Sequence, residues 1–222
     1  MGTERNGDLR VVGGHLALDL VNTVTPRRPE GGEHVEFLPG PEELLAWGRR
    51  VGLLDDREAA AVEAAWAGSP GAAGQALAAT VEIREAAYRV LARRMGLSDA
   101  DVAADLERLW LRWTAATGRG ELVPESRGPA AARLVLGAVP ALLIPDRLAH
   151  ACVEFLREGD AGRLRACPIE EGGCGWLFLD LSRNRSRRWC AMEDCGAQAK
   201  ARRLTERRRT SRDTGKTRNT GS

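Results

Sequence analysis

The side chains best suited to chemistry in this 222-residue chain are four cysteines crowded toward its C-terminal end. They fall as Cys167-x6-Cys174 and, fifteen residues further on, Cys190-x4-Cys195. Two close cysteine pairs separated by a hairpin-length stretch are the spacing of a closed zinc site. A d¹⁰ ion has no geometric preference of its own and takes four thiolates as a tetrahedron, leaving no position for water. The expected cofactor is therefore one structural Zn²⁺ held by Cys167, Cys174, Cys190 and Cys195, with no Lewis-acid chemistry at it. Neither a glycine-rich phosphate loop nor a serine-centred nucleophile motif occurs, so no enzyme activity is expected at this end. The fifth cysteine, Cys152, falls in an apolar helical pattern and reads as a small core side chain.

The elements that must position these ligands follow from the surrounding residues. Trp176–Asp180 has strand composition, and Gly196–Arg209 is rich in Ala, Lys, Arg and Leu, which predicts a helix. Cys195 then lies at a helix N-terminus, where the dipole favours a thiolate. A knuckle, a hairpin between the cysteine pairs and a helix bearing the last ligand make a treble-clef-like finger. On that helix Ala197, Ala201 and Leu204 form an apolar stripe for docking, and Lys200, Arg203 and Arg207 a basic stripe aimed outward. Arg183, Arg185, Arg187 and Arg188 crowd the loop before Cys190, and Trp176 and Trp189 are expected to pack around the metal. Residues 176–222 hold 13 Lys/Arg against 5 Asp/Glu, while the rest of the chain holds 20 against 26. A positive excess confined to one end suggests a polyanion, DNA first, as the partner of that end; a solvated basic tail is the alternative.

The stretch CGWLFLDLSRNRSRRWCAMEDCG, followed by AKARR, resembles the CGNR zinc finger. Upstream, GGHLALDLVNTV, PEELLAWGRRVGLL and VEIREAAYRVL resemble the helical ABATE domain that accompanies it. The resemblance implies a stress-induced transcription regulator. Two departures stand out. Ala197-Gln198 replaces the family's Asn-Arg after the last ligand, and the first cysteine pair is about two residues wider, with Glu170, Glu171, Gly172 and Gly173 inside it.

The fold class expected is mainly α: a helical sensor domain with minor β elements over residues 1–160, a treble-clef-like finger over 161–209, and a disordered basic tail over 210–222. Helical spacing marks a segment after Gly13-Gly14, a helix opened by Pro41, one capped by Asp55 or Asp56, a long one over 75–95 interrupted by Arg84, one capped by Ser98 or Asp99, and one from Pro145 to Glu158. Short extended segments are expected at His34–Leu38, Glu121–Val123 and Leu134–Leu136. His15, Asp19 and Asn22 recur at steps of four and three, a polar triplet on an apolar helix: either a small binding site or a set of caps and core hydrogen bonds. As a site it would take an effector, with Trp110 and Trp113 opposite and His34 closing over it; the two tryptophans equally suit the core.

No run approaches the roughly 18 apolar residues of a membrane span, and the opening residues MGTERNGDLR do not read as a secretory signal. Cysteines in metal-ligand spacing fit a reducing cytoplasm better than a disulfide framework. The partners expected are DNA, a small-molecule effector and a second copy of the chain, with no membrane. The competing reading is a zinc-stapled interaction module that binds RNA or protein without recognising a DNA sequence.

Overall fold

The computed structural model describes residues 9–27, 34–125 and 130–205. Its helices are α1 (Leu16–Val21), α2 (Pro41–Arg50), α3 (Asp56–Ala67), α4 (Ala72–Arg94), α5 (Ala103–Gly118) and α6 (Leu143–Glu158), with a last helix, α7, over 197–205. Antiparallel two-stranded ribbons pair β1 (Val24–Thr25) with β2 (Val35–Glu36), β3 (Glu121–Pro124) with β4 (Ala132–Val135), and β5 (Leu164–Ala166) with β6 (Leu177–Leu179). The mainly α class with minor strands is as expected. The predicted tail over 210–222 lies outside the described residues.

Local rules account for several helix ends. Pro41 opens α2 where its missing N–H costs nothing, with Glu42 and Glu43 in the first turn and Arg49 and Arg50 in the last, all matched to the helix dipole. Asp55 and Glu58 form a reciprocal capping box on α3. In α5, by contrast, Ser98 and Asp99 do not cap the helix. Ser98 Oγ accepts from Ala100 N and Asp101 Oδ1 from Ala103 N, so short side chains spend two further turns before α5 begins.

Helices α4 and α6 pack together, α5 lies across both, and α2 and α3 pack on α4. The six-residue α1 is wedged between α4, α6 and β6. Leu18, Leu20, Leu44, Trp47, Ile83, Leu148, Leu177 and Phe178 are fully buried, and the apolar cluster they belong to runs on without a break to Cys167, Cys190, Cys195, Trp176, Trp189 and Ala199. The finger thus shares the core of the helical part.

Arg84, the interruption in the apolar pattern of α4, is 3% exposed and pairs with both carboxylate oxygens of Glu36, with Glu85 and with Thr23 Oγ1. Glu85 also pairs with Arg27, whose guanidinium lies 4.4 Å from the Tyr88 ring centre. A buried guanidinium is tolerable because all of its charge is partnered. The network fastens the β1–β2 ribbon to α4.

Candidate metal centre

The finger is built outward from β6. Its partner strand is β5, upstream of Cys167, and not a strand between the cysteine pairs as the sequence suggested. The turn of this ribbon is therefore the first cysteine loop itself, and the segment between the pairs is an irregular loop after β6. The widened loop forms a 3₁₀ turn (Ile169–Glu171) and closes through Gly172 N–H to Ile169 O and Gly173 N–H to Pro168 O. A Cβ on Gly173 would meet Cys167 Sγ at 2.6 Å, so only glycine lets the backbone pass the first ligand.

The second pair arrives through a loop organised by Asp180. Its carboxylate accepts from Ser182 N, Ser182 Oγ and Arg187 N, an Asx-type turn that holds the carboxyl below its ordinary range. Met192–Gly196 forms one π-helical turn carrying Cys195, and α7 follows directly. Because Cys195 must face the metal, the phase of α7 is fixed, and the position one turn on, Ala199, is the buried one. Ala197, Ala201 and Leu204, the expected docking stripe, are exposed instead.

The sulfurs of Cys167, Cys174, Cys190 and Cys195 lie within 4.8 Å of one another, with Cys174–Cys190 at 3.4 Å and Cys190–Cys195 at 3.7 Å. A tetrahedron with Zn–S near ~2.3 Å has edges of about 3.8 Å, so the set fits that ion and is too open for disulfides. Hydrogen bonds from Cys174, then Cys190 and Cys195, hold the Cys167 thiol far below its ordinary range, while proximity to Cys167 drives Cys174 and Cys190 far above it. Four sulfurs this close cannot all ionise alone; a dication turns their repulsion into ligation. Cys152 stands apart, fully buried in α6 and pushed up to about 12 by burial. Among the described residues the four sulfurs are the metal-ligating cluster.

Around the ligands, Arg187 is structural. Its guanidinium donates to the carbonyls of Val12 (3.0 Å), Trp189 (3.1 Å) and Cys190 and stacks 4.3 Å from the Phe178 ring centre. Its guanidinium is thus engaged within the fold, where the sequence suggested a nucleic-acid contact. Arg188 and Arg203 both pair with Glu171. Arg183, Arg185 and Lys200 are exposed, Arg185 with a positive φ of 49° at the loop tip, and Arg207 lies outside the described residues.

The polar triplet is a set of caps and core bonds. His15 precedes α1, and its Nδ1 accepts from Ala17 N. Asp19 accepts from Gly13 N (2.8 Å), and Asn22 exchanges two hydrogen bonds with Leu177. The triplet breaks up because α1 ends at Val21 and turns into β1. Trp110 and Trp113 are elsewhere: Trp110 is 57% exposed, and both line an open groove of about 480 Å³ between α5 and α6 with Leu106, Leu109, Val153 and Leu156. The structure does not bring the triplet and the tryptophans to one cavity. His34 is exposed, with its Nδ1 against Pro26 O.

The sequence also gave no sign of how the finger is attached. Trp176 Nε1 donates to Val24 O, Arg27 N to Cys174 O, Leu179 N to Gly13 O, and Arg10 pairs with Glu193 and Asp194. At the same junction Gly14, with a φ of 79°, lies against β6, where a Cβ would come within 3.4 Å of Leu179 Cβ.

Fold and site define a zinc-finger protein in which a tetrathiolate centre is sealed onto a helical domain. Residues 14–159 match the ABATE family, described as "Putative stress-induced transcription regulator", and residues 163–208 match the CGNR zinc finger. The chain belongs to the ABATE family and carries a CGNR zinc finger as its C-terminal part. No curated protein matches it.

Proposed function

We propose that this protein is a DNA-binding transcription regulator whose zinc ion holds together a basic face made by the 181–188 loop and α7. The observation that carries this reading is Glu171, whose carboxylate pairs with Arg188 of the loop and Arg203 of the helix and so sets the two basic segments side by side. Arg183, Arg185, Lys200 and Arg202 add exposed positive charge to the same two segments. Such side chains suit phosphates first, and a few reaching groove edges would supply sequence preference. Cys167, Cys174, Cys190 and Cys195 would hold the zinc, which supplies rigidity and no reaction. The open Trp110/Trp113 groove supports an effector or partner site on the helical part, and the shared core offers a mechanical route from there to α7. Thiolates that must stay reduced support a cytoplasmic setting.

A second reading, an interaction module for RNA or protein, is favoured by the structural engagement of Arg187 and the pairing of Arg188 and Arg203 with Glu171, which offsets part of their charge. Selection of bound duplexes from a random pool, with affinity followed against salt, separates the two. One enriched motif with a steep salt slope supports the regulator; equal binding of all duplexes and of RNA supports the module.

A further inference from the structure

We propose that Arg188 and Arg203 form a phosphodiester-binding site that Glu171 fills with its own carboxylate, so that nucleic acid docks on the finger by displacing it. The proposal rests on the DNA-binding reading above. Glu171 Oε1 accepts from Arg188 Nη2 and Oε2 from Arg203 Nη2. Two guanidiniums on the two oxygens of a singly charged anion make the arrangement that the two non-bridging oxygens of a backbone phosphate also satisfy.

Three features make the carboxylate a placed stand-in. First, it lies in the widened part of the first cysteine loop, a turn closed by its own backbone hydrogen bonds and pressed against Cys167, so the metal centre sets its position. Second, one carboxylate faces two guanidiniums, so the cluster keeps a net positive charge. Arg202 adds to it: its guanidinium lies beside Gly172, where a Cβ would meet Nη1 at 2.6 Å, with no ion-pair partner among the described residues. Third, the contacts are wet. Arg188 and Arg203 are 56% and 59% exposed and Glu171 26%, and ion pairs so open to solvent are weak and readily exchanged. A polyanion that releases counterions on binding outcompetes a single carboxylate at low salt and loses that advantage as salt rises. Glu171 thereby lowers affinity for any duplex and leaves more of the discrimination to base contacts.

The test compares Glu171→Gln with Glu170→Gln in the full zinc-loaded chain, using fluorescence anisotropy of a labelled mixed-sequence duplex across a salt series. Both variants remove one negative charge from the same turn. If Glu171 fills the site, Glu171→Gln binds about tenfold tighter than Glu170→Gln, and its slope of log K against log salt is steeper by up to about one. Adding Arg188→Gln and Arg203→Gln to Glu171→Gln should erase that gain. Equal gains in the two glutamine variants mean that only net charge matters and overturn the proposal while the DNA-binding reading stands. A Glu171→Gln variant that gains affinity for inorganic pyrophosphate but none for duplex identifies a free-anion site and also overturns it. If neither parent nor Glu171→Gln binds duplex with zinc retained, the DNA-binding reading fails and this proposal with it.

Discussion

Asn22 and Leu177 are joined by two hydrogen bonds between one side-chain amide and one peptide unit: Asn22 Nδ2 donates to Leu177 O at 2.8 Å, and Leu177 N donates to Asn22 Oδ1 at 2.9 Å. The amide thus takes the place of a neighbouring strand beside β6, at a residue wholly removed from solvent. It seals the C-terminus of α1 to the strand that leads into the metal loop.

Asn22→Leu should destabilise the protein by about 2–4 kcal/mol, since it strands a buried N–H and C=O at once. Asn22→Asp is the sharper test. A carboxylate still accepts from Leu177 N but cannot donate to Leu177 O, and its charge is buried. Its folded pKa rises above the unfolded value, so its deficit should grow as pH rises past the ordinary carboxylate range and shrink in acid. Urea denaturation at several pH values reads this directly, and a pH-independent deficit rules out the pairing.

One zinc per chain should be found by elemental analysis of freshly purified protein. Cys190→Ser should lose it, and because the core is shared, hydrogen exchange should speed up in residues 9–27 as well as in the finger. Loosening confined to the finger would show that the two parts are energetically separate.

Arg187→Ala should weaken the fold and metal retention, because the carbonyls of Val12, Trp189, Cys190 and, at 3.4 Å, Leu179 each lose a donor and the Phe178 ring loses its cation. Reversing Arg183 and Lys200 to Glu should instead cut DNA affinity with zinc kept and stability changed by no more than about 0.5 kcal/mol, as at other open surface sites. Anisotropy and thermal melting on the two variants separate fold from contact.

Gln198, exposed where the family has Arg, lines a cleft of about 340 Å³ with Thr25, Phe37, Cys174 and Arg202. Gln198→Arg should raise nonspecific DNA affinity and steepen the salt slope by at most about one. Zinc content should not change, because the four ligands are untouched.

His15 is held below its ordinary pKa by burial against Phe155, and its Nδ1 must stay unprotonated to cap Ala17. The folded state then binds fewer protons than the unfolded one, so this contribution to stability is present above the ordinary histidine value and is lost as pH falls through the depressed one. Asp19 acts oppositely. Burial raises its folded pKa against bonds from Gly13 and Val12, so its contribution is present below the ordinary carboxylate value and fades as pH rises through the raised one. His15→Asn keeps a capping oxygen without titrating. Urea midpoints compared between mildly acidic and mildly alkaline buffer should lose their histidine-range slope in that variant.

The ligand set was legible in the sequence because thiolates, spacing and an ion without geometric preference leave few alternatives. The starts of α2 and α3 were legible too, since Pro41 and the Asp55–Glu58 box act within one turn. Tertiary structure decided what depends on residues far apart in the chain. Asn22 could be read as a site residue or a core hydrogen-bonder, Arg84 as an interruption of an apolar stripe and Arg187 as a DNA contact, and each is polar glue, because a buried donor or acceptor must find its partner wherever the fold supplies one. The face that α7 presents was also undecidable from periodicity alone. Apolar spacing favoured Ala197, Ala201 and Leu204, but Cys195 is grouped with Cys190 and the distant Cys167 and Cys174, and that tie turns Ala199 inward instead.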